Sequence, residues 1–468
     1  MCYYNRAWFH SGFFSISKEE DQVLKKGLSL LLVALMLCPL FVACMTSPAT
    51  SEAEDKIPAA AEAVAVPVVE APAAEPVSEL AVHRDSFEIN EKYLDYRYQI
   101  SLDATCESLD AALAVIGCEA VLGKSGAVET SDLMWACIAA AGLTELALTY
   151  SEEKADARLA HYGLAAVGNA ALFACALDAG LLSAAEANAL LAKDVPTRED
   201  IVNLFSVAIE LGGKGRNYLG YSDDADIVAR IYNRWESIAR YDDAELSEVG
   251  LQMLLQRITT GYNLQFDGYQ SHFLPELTIR YGQDDIQHAA QLIALLNSED
   301  MLVKLQIVPK ISVYEYMLEW GPIPEATPYY EVKPVGDRWF VYAFEYDVQM
   351  EFTSREEMLR FNSIVLSYAK KNEGNEDGKG LIYASWWQPL YTTDENNDMP
   401  EGNKEYKRIG EAVVTNGSGY SVHSGILAED IDRVREQTAA LNANCVCEPI
   451  EVWGDAAFYR YLTGEDYQ

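Results

Sequence analysis

The spacing of apolar residues divides the chain into four stretches. Residues 28–43 form an apolar run of sixteen, far more continuous than any later stretch. Residues 45–82 show no periodicity and repeat Ala, Pro, Glu and Val. From 83 to about 265 apolar residues recur every three to four positions, most clearly in 109–122, 170–182 and 201–211, which is the spacing of helices with one buried face. After about residue 274 the spacing switches. Short alternating or β-branched runs at 277–281, 303–308, 339–352, 381–386, 411–414, 420–426 and 450–453 predict strands. Helical patterns at 284–297, 354–370, 429–443 and 455–462 separate them. The expected fold is therefore a multidomain α+β chain. A helical-repeat domain (83–265) is followed by an α/β domain of β-α-β units (266–468).

The first two stretches carry a targeting message. Lys25 and Lys26 stand directly before the apolar run, and small residues end it, which is the order of a secretory signal. Sixteen residues is short of the roughly 20 that span a bilayer. The run ends Phe41-Val42-Ala43-Cys44, which resembles the bacterial lipobox, although Phe41 replaces the usual leucine-like residue. That resemblance implies a signal peptide over 1–44, lipidation of Cys44, and an exported protein held at the cell-envelope membrane. Ordinary signal-peptidase cleavage is the alternative. The first 22 residues are long for a signal, and Val23 or Leu24 would open a conventional leader. Repeated prolines and carboxylates make 45–82 an extended tether, reaching on the order of 100 Å at about 3.1 Å per residue.

Charge narrows the partners. The 468 residues include 72 acidic and 35 basic ones, a formal charge of −37. Such a field repels phosphate backbones and excludes nucleic acid as a partner. It also leaves solubility and divalent-cation binding as two readings of the acidity. Six cysteines follow the leader (Cys106, Cys118, Cys137, Cys175, Cys445, Cys447) without C-x-x-C spacing, so they read as buried thiols or as one or two disulfides rather than a zinc site.

One helical stretch has a family likeness. Residues 170–182 read AALFACALDAGLL and residues 194–211 read DVPTREDIVNLFSVAIEL. This resembles a repeat of the S-layer homology family, in which a helix ending in Gly-Leu is followed by a loop and a Thr-Arg-led helix. Gly180-Leu181 closes the first helix and Thr197-Arg198-Glu199-Asp200 opens the second. A degenerate copy leads into Thr130, and a third spans 227–263. The family's first-helix Trp and its Gly-Tyr and Phe-Pro loop are missing. The resemblance implies that Thr197, Arg198 and Glu199 contact a negatively charged cell-wall polysaccharide. The same four residues are also simply a well-capped helix start.

The α/β region carries its own candidates. Trp386 and Trp387, followed by Tyr391, offer an aromatic platform for a sugar ring or peptide, because neighbouring strand residues face opposite sides; both also suit a structural role. The loop 394–405 has calcium-loop spacing, but Met399 holds the position that requires glycine. Ser421 and His423 are close in sequence without a third partner in view. No nucleophile elbow, phosphate-binding loop, dinucleotide fingerprint or metal-spaced His/Cys motif occurs, so no catalytic residue, metal or cofactor is assigned. The expected function is a non-catalytic envelope lipoprotein that binds cell-wall polysaccharide through its helical region and uses the C-terminal domain for interaction. A glycan or peptide hydrolase, or a lipid-anchored solute-binding protein, stands behind it. If Cys44 is the lipidation site, Cys44→Ala abolishes lipid labelling and leaves unprocessed or released protein; unchanged mass and membrane retention would refute the anchor.

Overall fold

The computed structural model describes residues 83–165, 167–237, 242–368, 390–392 and 406–465. The leader, the tether, Trp386, Trp387 and the loop 394–405 lie outside these residues.

The helical layer comprises α1 (Phe87–Tyr98), α2 (Cys106–Val115), α3 (Thr130–Ala140), the single turn α4 (Thr144–Ala147), α5 (Glu152–His161), α6 (Ala170–Asp178), α7 (Ala184–Leu191) and α8 (Arg198–Leu211). Their apolar stripes meet in one core built around Leu109, Leu133, Ile138, Phe173, Ile201 and Phe205. The Gly-Leu pairs end helices for a physical reason. Gly180 takes φ +74°, a conformation costly for other residues, and lets Leu181 N–H reach back to the Ala176 carbonyl at 2.8 Å. Gly142 and Leu143 do the same after α3, with Leu143 N–H on the Ile138 carbonyl at 2.9 Å. All six described cysteines are free thiols, and all but Cys118 are buried.

The second half contains β1 (Gly220–Tyr221), α9 (Ile227–Ser237), α10 (Ala244–Leu255), β2 (Gly261–Phe266), β3 (Thr278–Gln283), α11 (Ile286–Ser298), β4 (Val303–Glu315), β5 (Tyr330–Val335), β6 (Arg338–Phe352), α12 (Arg355–Tyr368), β7 (Leu390–Thr392), β8 (Tyr406–Thr415), β9 (Tyr420–Leu427), α13 (Ile431–Leu441), β10 (Val446–Asp455) and α14 (Ala456–Thr463). The strands run in the order β4-β2-β9-β8-β10-β7-β3-β6, and β6 pairs back onto β4, so they close a ring; β1 and β5 lie beside β4 and β6. Every described pairing is antiparallel, from Val303↔Phe352 to Glu315↔Phe340 in the longest. Strands and helices alternate, and the helices link strands that run parallel to each other with one antiparallel strand between them: α11 joins β3 to β4 across β6, and α13 joins β9 to β10 across β8.

The two faces of the ring differ sharply. Phe344, Tyr346, Val348, Met350 and Phe352 on β6, with Val303, Leu305 and Ile307 on β4, point outward. They pack under Ile231 and Trp235 of α9, Leu292 and Leu296 of α11, and Met358 and Phe361 of α12. Leu246, Val249 and Met253 of α10 cover Leu264, Val422 and Val414 in the same way. Helices α9 and α10, in the stretch read as a third helical repeat, thus pack in the outer coat of the ring. Sequence periodicity identified these helices but not the surface that their stripes cover.

The two halves nevertheless belong to one compact unit. Leu274 and Leu277, on the approach to β3, enter the helical core. A buried ion cluster fastens the seam. Arg216, whose side chain has no solvent exposure, lies 2.7 Å from Glu351 and 2.9 Å from Glu210, with its guanidinium 3.9 Å above the Tyr93 ring. Lys304 joins Asp85 at 2.6 Å to Glu351 at 3.1 Å. Removing one member of such a cluster strands its partners away from water. Arg216→Met is expected to destabilise the chain by about 3–5 kcal/mol, measured by urea unfolding; a loss below 1 kcal/mol would show the cluster is not structural.

Candidate functional site

Alternation leaves the other face of the ring to the interior, and there the residues are polar. On β4 and β6 the inward set is Lys304, Gln306, Val308 and Lys310 against Glu351, Gln349, Asp347 and Glu345, with Ser312 next along β4. Arg280 of β3, Glu411 of β8, and Ser421 and His423 of β9 share this face. Contact between β3 and β8, which are separated by β7 and β10 around the ring, is possible only across the lumen. An eight-stranded barrel is just wide enough for filled side chains or one small ligand.

The lumen is layered. At one end Tyr314, Val341, Ala343, Ile409 and Val452 form an apolar plug with Phe458 of α14. At the other end backbone from the seam closes on the polar face: Ser271 and Leu274 N–H groups donate to Gln349 and Glu351 at 3.3 and 2.6 Å, and Gln306 donates to the Asn217 carbonyl at 2.8 Å. Between them lies a charged middle layer.

Pairing within that layer is nearly complete. Arg280 forks across the lumen onto both carboxylate oxygens of Glu411, one contact at 3.0 Å. Lys310 donates to Asp347 at 2.6 Å. Burial opposes ionisation of Glu411, but Arg280 and His423 outweigh it and hold the carboxyl far below its ordinary value. Burial likewise opposes ionisation of Asp347, and Lys310 with Arg280 outweighs it. Burial works against the Lys310 ammonium too, yet Asp347 and Glu345 raise its pKa.

Glu345 is different. It is fully buried, and desolvation raises its pKa despite Lys310 and the Ser312 hydroxyl. Hydrogen-bond counting agrees. Ser312 Oγ lies 2.7 Å from Glu345 Oε2 and 2.7 Å from Asn263 Oδ1, and it has one hydrogen to give. When Asn263 accepts it, a protonated Glu345 donates to Ser312 in return. Its other oxygen, Oε1, has no hydrogen-bond partner.

A second line runs from the middle layer toward the rim. His423 Nδ1 lies 3.1 Å from Glu411 Oε1, and Nε2 lies 2.9 Å from Ser421 Oγ, which in turn meets Asp267 at 2.6 Å. Since Glu411 is ionised, Nδ1 carries a hydrogen. Ser421 donates to Asp267 and lies within hydrogen-bond distance of His423. The trio resembles a hydrolytic triad in distances alone. Ser421 is 2% exposed, and an attacking Oγ would develop negative charge beside Asp267.

Among the described residues β10 pairs with β8 along its length and meets β7 at Trp453↔Thr392. Its inward positions Val446 and Ile450 are 55% and 41% exposed, and Ile450 is the register partner of Glu411.

Ser421 and His423, singled out in the sequence, lie in this line, whereas Thr197, Arg198 and Glu199 fall elsewhere. Thr197 caps α8, accepting from Asp200 N–H at 3.2 Å. Arg198 donates to the Leu102 carbonyl at 2.7 Å, pairs with Glu91 and lies 5.2 Å from the Phe87 ring centre. It is tied to α1 and the 102 loop, not presented alone. Glu199 is exposed on the edge of a cavity of about 200 Å³ beside Arg84 and Glu186. Tyr391 lies in β7 as the register partner of Arg280. Among the described residues no group of three His, Cys, Asp or Glu is placed to hold a metal ion, and no helix is long and apolar enough to cross a membrane. Comparisons with protein-family models, curated proteins and solved structures find no match.

The raised pKa of Glu345 has a definite sign in stability. Folding favours its protonated form, so its contribution is intact below the unfolded value and is lost as pH rises toward the folded one, at about 1.4 kcal/mol per pH unit. Glu345→Gln keeps a donor for Ser312 without a charge to bury. It should raise the melting temperature at pH 7 and have little effect at pH 4. Equal effects at both pH values would mean that Glu345 is ordinarily ionised.

Proposed function

We propose that the chain is an exported, lipid-anchored envelope protein that is not an enzyme, and that its barrel lumen binds a small uncharged glycan. The observation that carries this reading is Glu345: a fully buried carboxyl whose pKa burial raises, with one unpartnered oxygen, in a lumen layer whose neighbouring charges are matched in pairs. A charged solute would have to break Arg280–Glu411 or Lys310–Asp347. A sugar needs only hydrogen bonds, and the polar middle layer supplies both donors and acceptors. The exposure of Val446 and Ile450 on β10 supports access. The Lys25-Lys26 start, the apolar run and Cys44 support export and anchoring. Glycan contact through Thr197, Arg198 and Glu199 is a weaker reading, because Arg198 is engaged by Glu91 and Leu102 and Thr197 by its own helix.

A second reading, glycan hydrolysis, is favoured by one observation. Glu345 and Asp347 project from alternate positions of one strand into the lumen, and their surroundings drive their pKa values in opposite directions, the pattern of an acid and a base. Against it, Asp347 is held by Lys310 at 2.6 Å.

Isothermal titration with glucose, N-acetylglucosamine and N,N′-diacetylchitobiose separates these readings. Binding of at least one saccharide is expected, with Glu345→Gln equal to wild type, because a carboxamide preserves the free acceptor. Glu345→Leu should bind about tenfold more weakly, the worth of one hydrogen bond of about 1.4 kcal/mol. Absence of binding by the wild type, or equal binding by Glu345→Leu, would refute the lumen site. Turnover of a chromogenic chitobioside that disappears in Glu345→Gln would establish the hydrolase instead.

A further inference from the structure

A groove on the outer face of the ring belongs to neither the lumen nor the seam. It lies between α10 and β5, has a volume of about 480 Å³, and is floored by outward residues of β2, β4 and β6. Leu264, Ile311 and Val313 form an aliphatic base with Leu251 of α10, and Tyr262 and Tyr342 add two aromatic rings.

Its rim is one-sided in charge. Asp242 and Glu248 stand on the helical bank and Glu331 on the strand bank. Burial raises the pKa of both tyrosine hydroxyls; the fields of Asp242 and Glu248 add to the shift at Tyr262 and Tyr342, and that of Glu331 adds at Tyr342. These carboxylates therefore converge on the floor. Among the described residues that line the groove the cation is Lys333, which pairs with Glu331 at 2.5 Å and places its ammonium 4.7 Å from the centre of the Tyr342 ring. An ammonium is thus already accommodated over this aromatic face, while no described lining cation lies opposite Asp242 and Glu248.

We propose that this groove docks a segment of a partner polypeptide that carries a lysine or arginine beside aliphatic residues. The aliphatic neighbours and the stem of the basic side chain cover Leu264, Ile311 and Val313. The cationic head meets Asp242 and Glu248 and the tyrosine faces. Charge complementarity selects this occupant. The chain's own tether is excluded, because Glu52, Glu54, Asp55, Glu62, Glu70, Glu75 and Glu79 outnumber Lys56 and would face carboxylates of the same sign. Anionic wall polymer is excluded for the same reason. Addition of a strand to β5 is also disfavoured, since Pro334 lacks the N–H that a new ladder needs.

The test uses the purified full chain and two fluorescent peptides, acetyl-Leu-Lys-Leu-amide and acetyl-Leu-Glu-Leu-amide, followed by anisotropy. The lysine peptide is expected to bind at least tenfold more tightly, and more weakly as salt rises. Asp242→Asn combined with Glu248→Gln should weaken it at least fivefold at an unchanged melting temperature, because both side chains are exposed. Lys333→Met, which removes the internal ammonium, should tighten it, an outcome that misfolding cannot imitate. Equal binding of the two peptides, or a double variant that binds the lysine peptide like wild type, would overturn the proposal.

Discussion

Burying charge inside a closed ring is the constraint on which the rest of this structure depends. Once β6 pairs back onto β4, the alternate inward residues of both strands are turned away from water. A buried ion without a partner costs several kcal/mol. The middle layer meets this demand with Arg280–Glu411 and Lys310–Asp347, and burial raises the pKa of Glu345 and so favours its protonated form. Arg280 and Glu411 come from strands far apart around the ring, so their pairing also fixes how those strands face each other. The same logic operates at the seam, where Lys304 and Glu351 face inward at the end of the ring and meet Arg216 and Asp85 from the helical side. Charge matching, more than a shared apolar core, is what joins the two halves.

The apolar material is correspondingly moved outward. A conventional small barrel fills its interior with aliphatic side chains; here the aliphatic residues of β4 and β6 face out and require a coat. Helices α9 to α13 supply that coat. Where it stops, between α10 and β5, the outer face remains accessible and acquires an acidic rim. Where α14 turns in, the lumen becomes apolar and closed. The chamber and the groove are therefore two results of one inversion of polarity, reached from opposite sides of the same strands.

Much of the secondary structure was legible, but its closure was not. The helical periodicity at 170–182 and 201–211 and the alternation at 339–352 correspond to α6, α8 and β6. The Gly-Leu and Thr-led signals mark real helix ends, because their backbone chemistry is local. Ring closure is not local. Lys310 and Glu345 are direct neighbours on β4 and β6, yet a polar residue at alternate strand positions reads equally well as solvent-facing. Two signals pointed further: β6 is long for an edge strand, and its polar face carries Glu345, Gln349 and Glu351 in register with Lys310, Gln306 and Lys304, with Asp347 among them opposite Val308. Ser421 and His423 stood out because they are adjacent in sequence. Glu411, Arg280 and Asp267, which give them their setting, arrive from three other segments. Strand β5 was missed because Lys333 and Pro334 break its pattern, and β2 because it falls where helical periodicity fades.

The most direct test of the central claim is a pH titration followed by carbon-13 NMR of the side-chain carboxyls, with Glu345 assigned by its loss in Glu345→Gln. A matched and water-poor lumen predicts three behaviours in one molecule. Glu345 should titrate well above the ordinary glutamate value of about 4.3, while Asp347 and Glu411 remain ionised below the ordinary carboxylate range. Three carboxyls titrating together near pH 4 would show that the lumen is open to water and its charges unpaired, and would contradict the account.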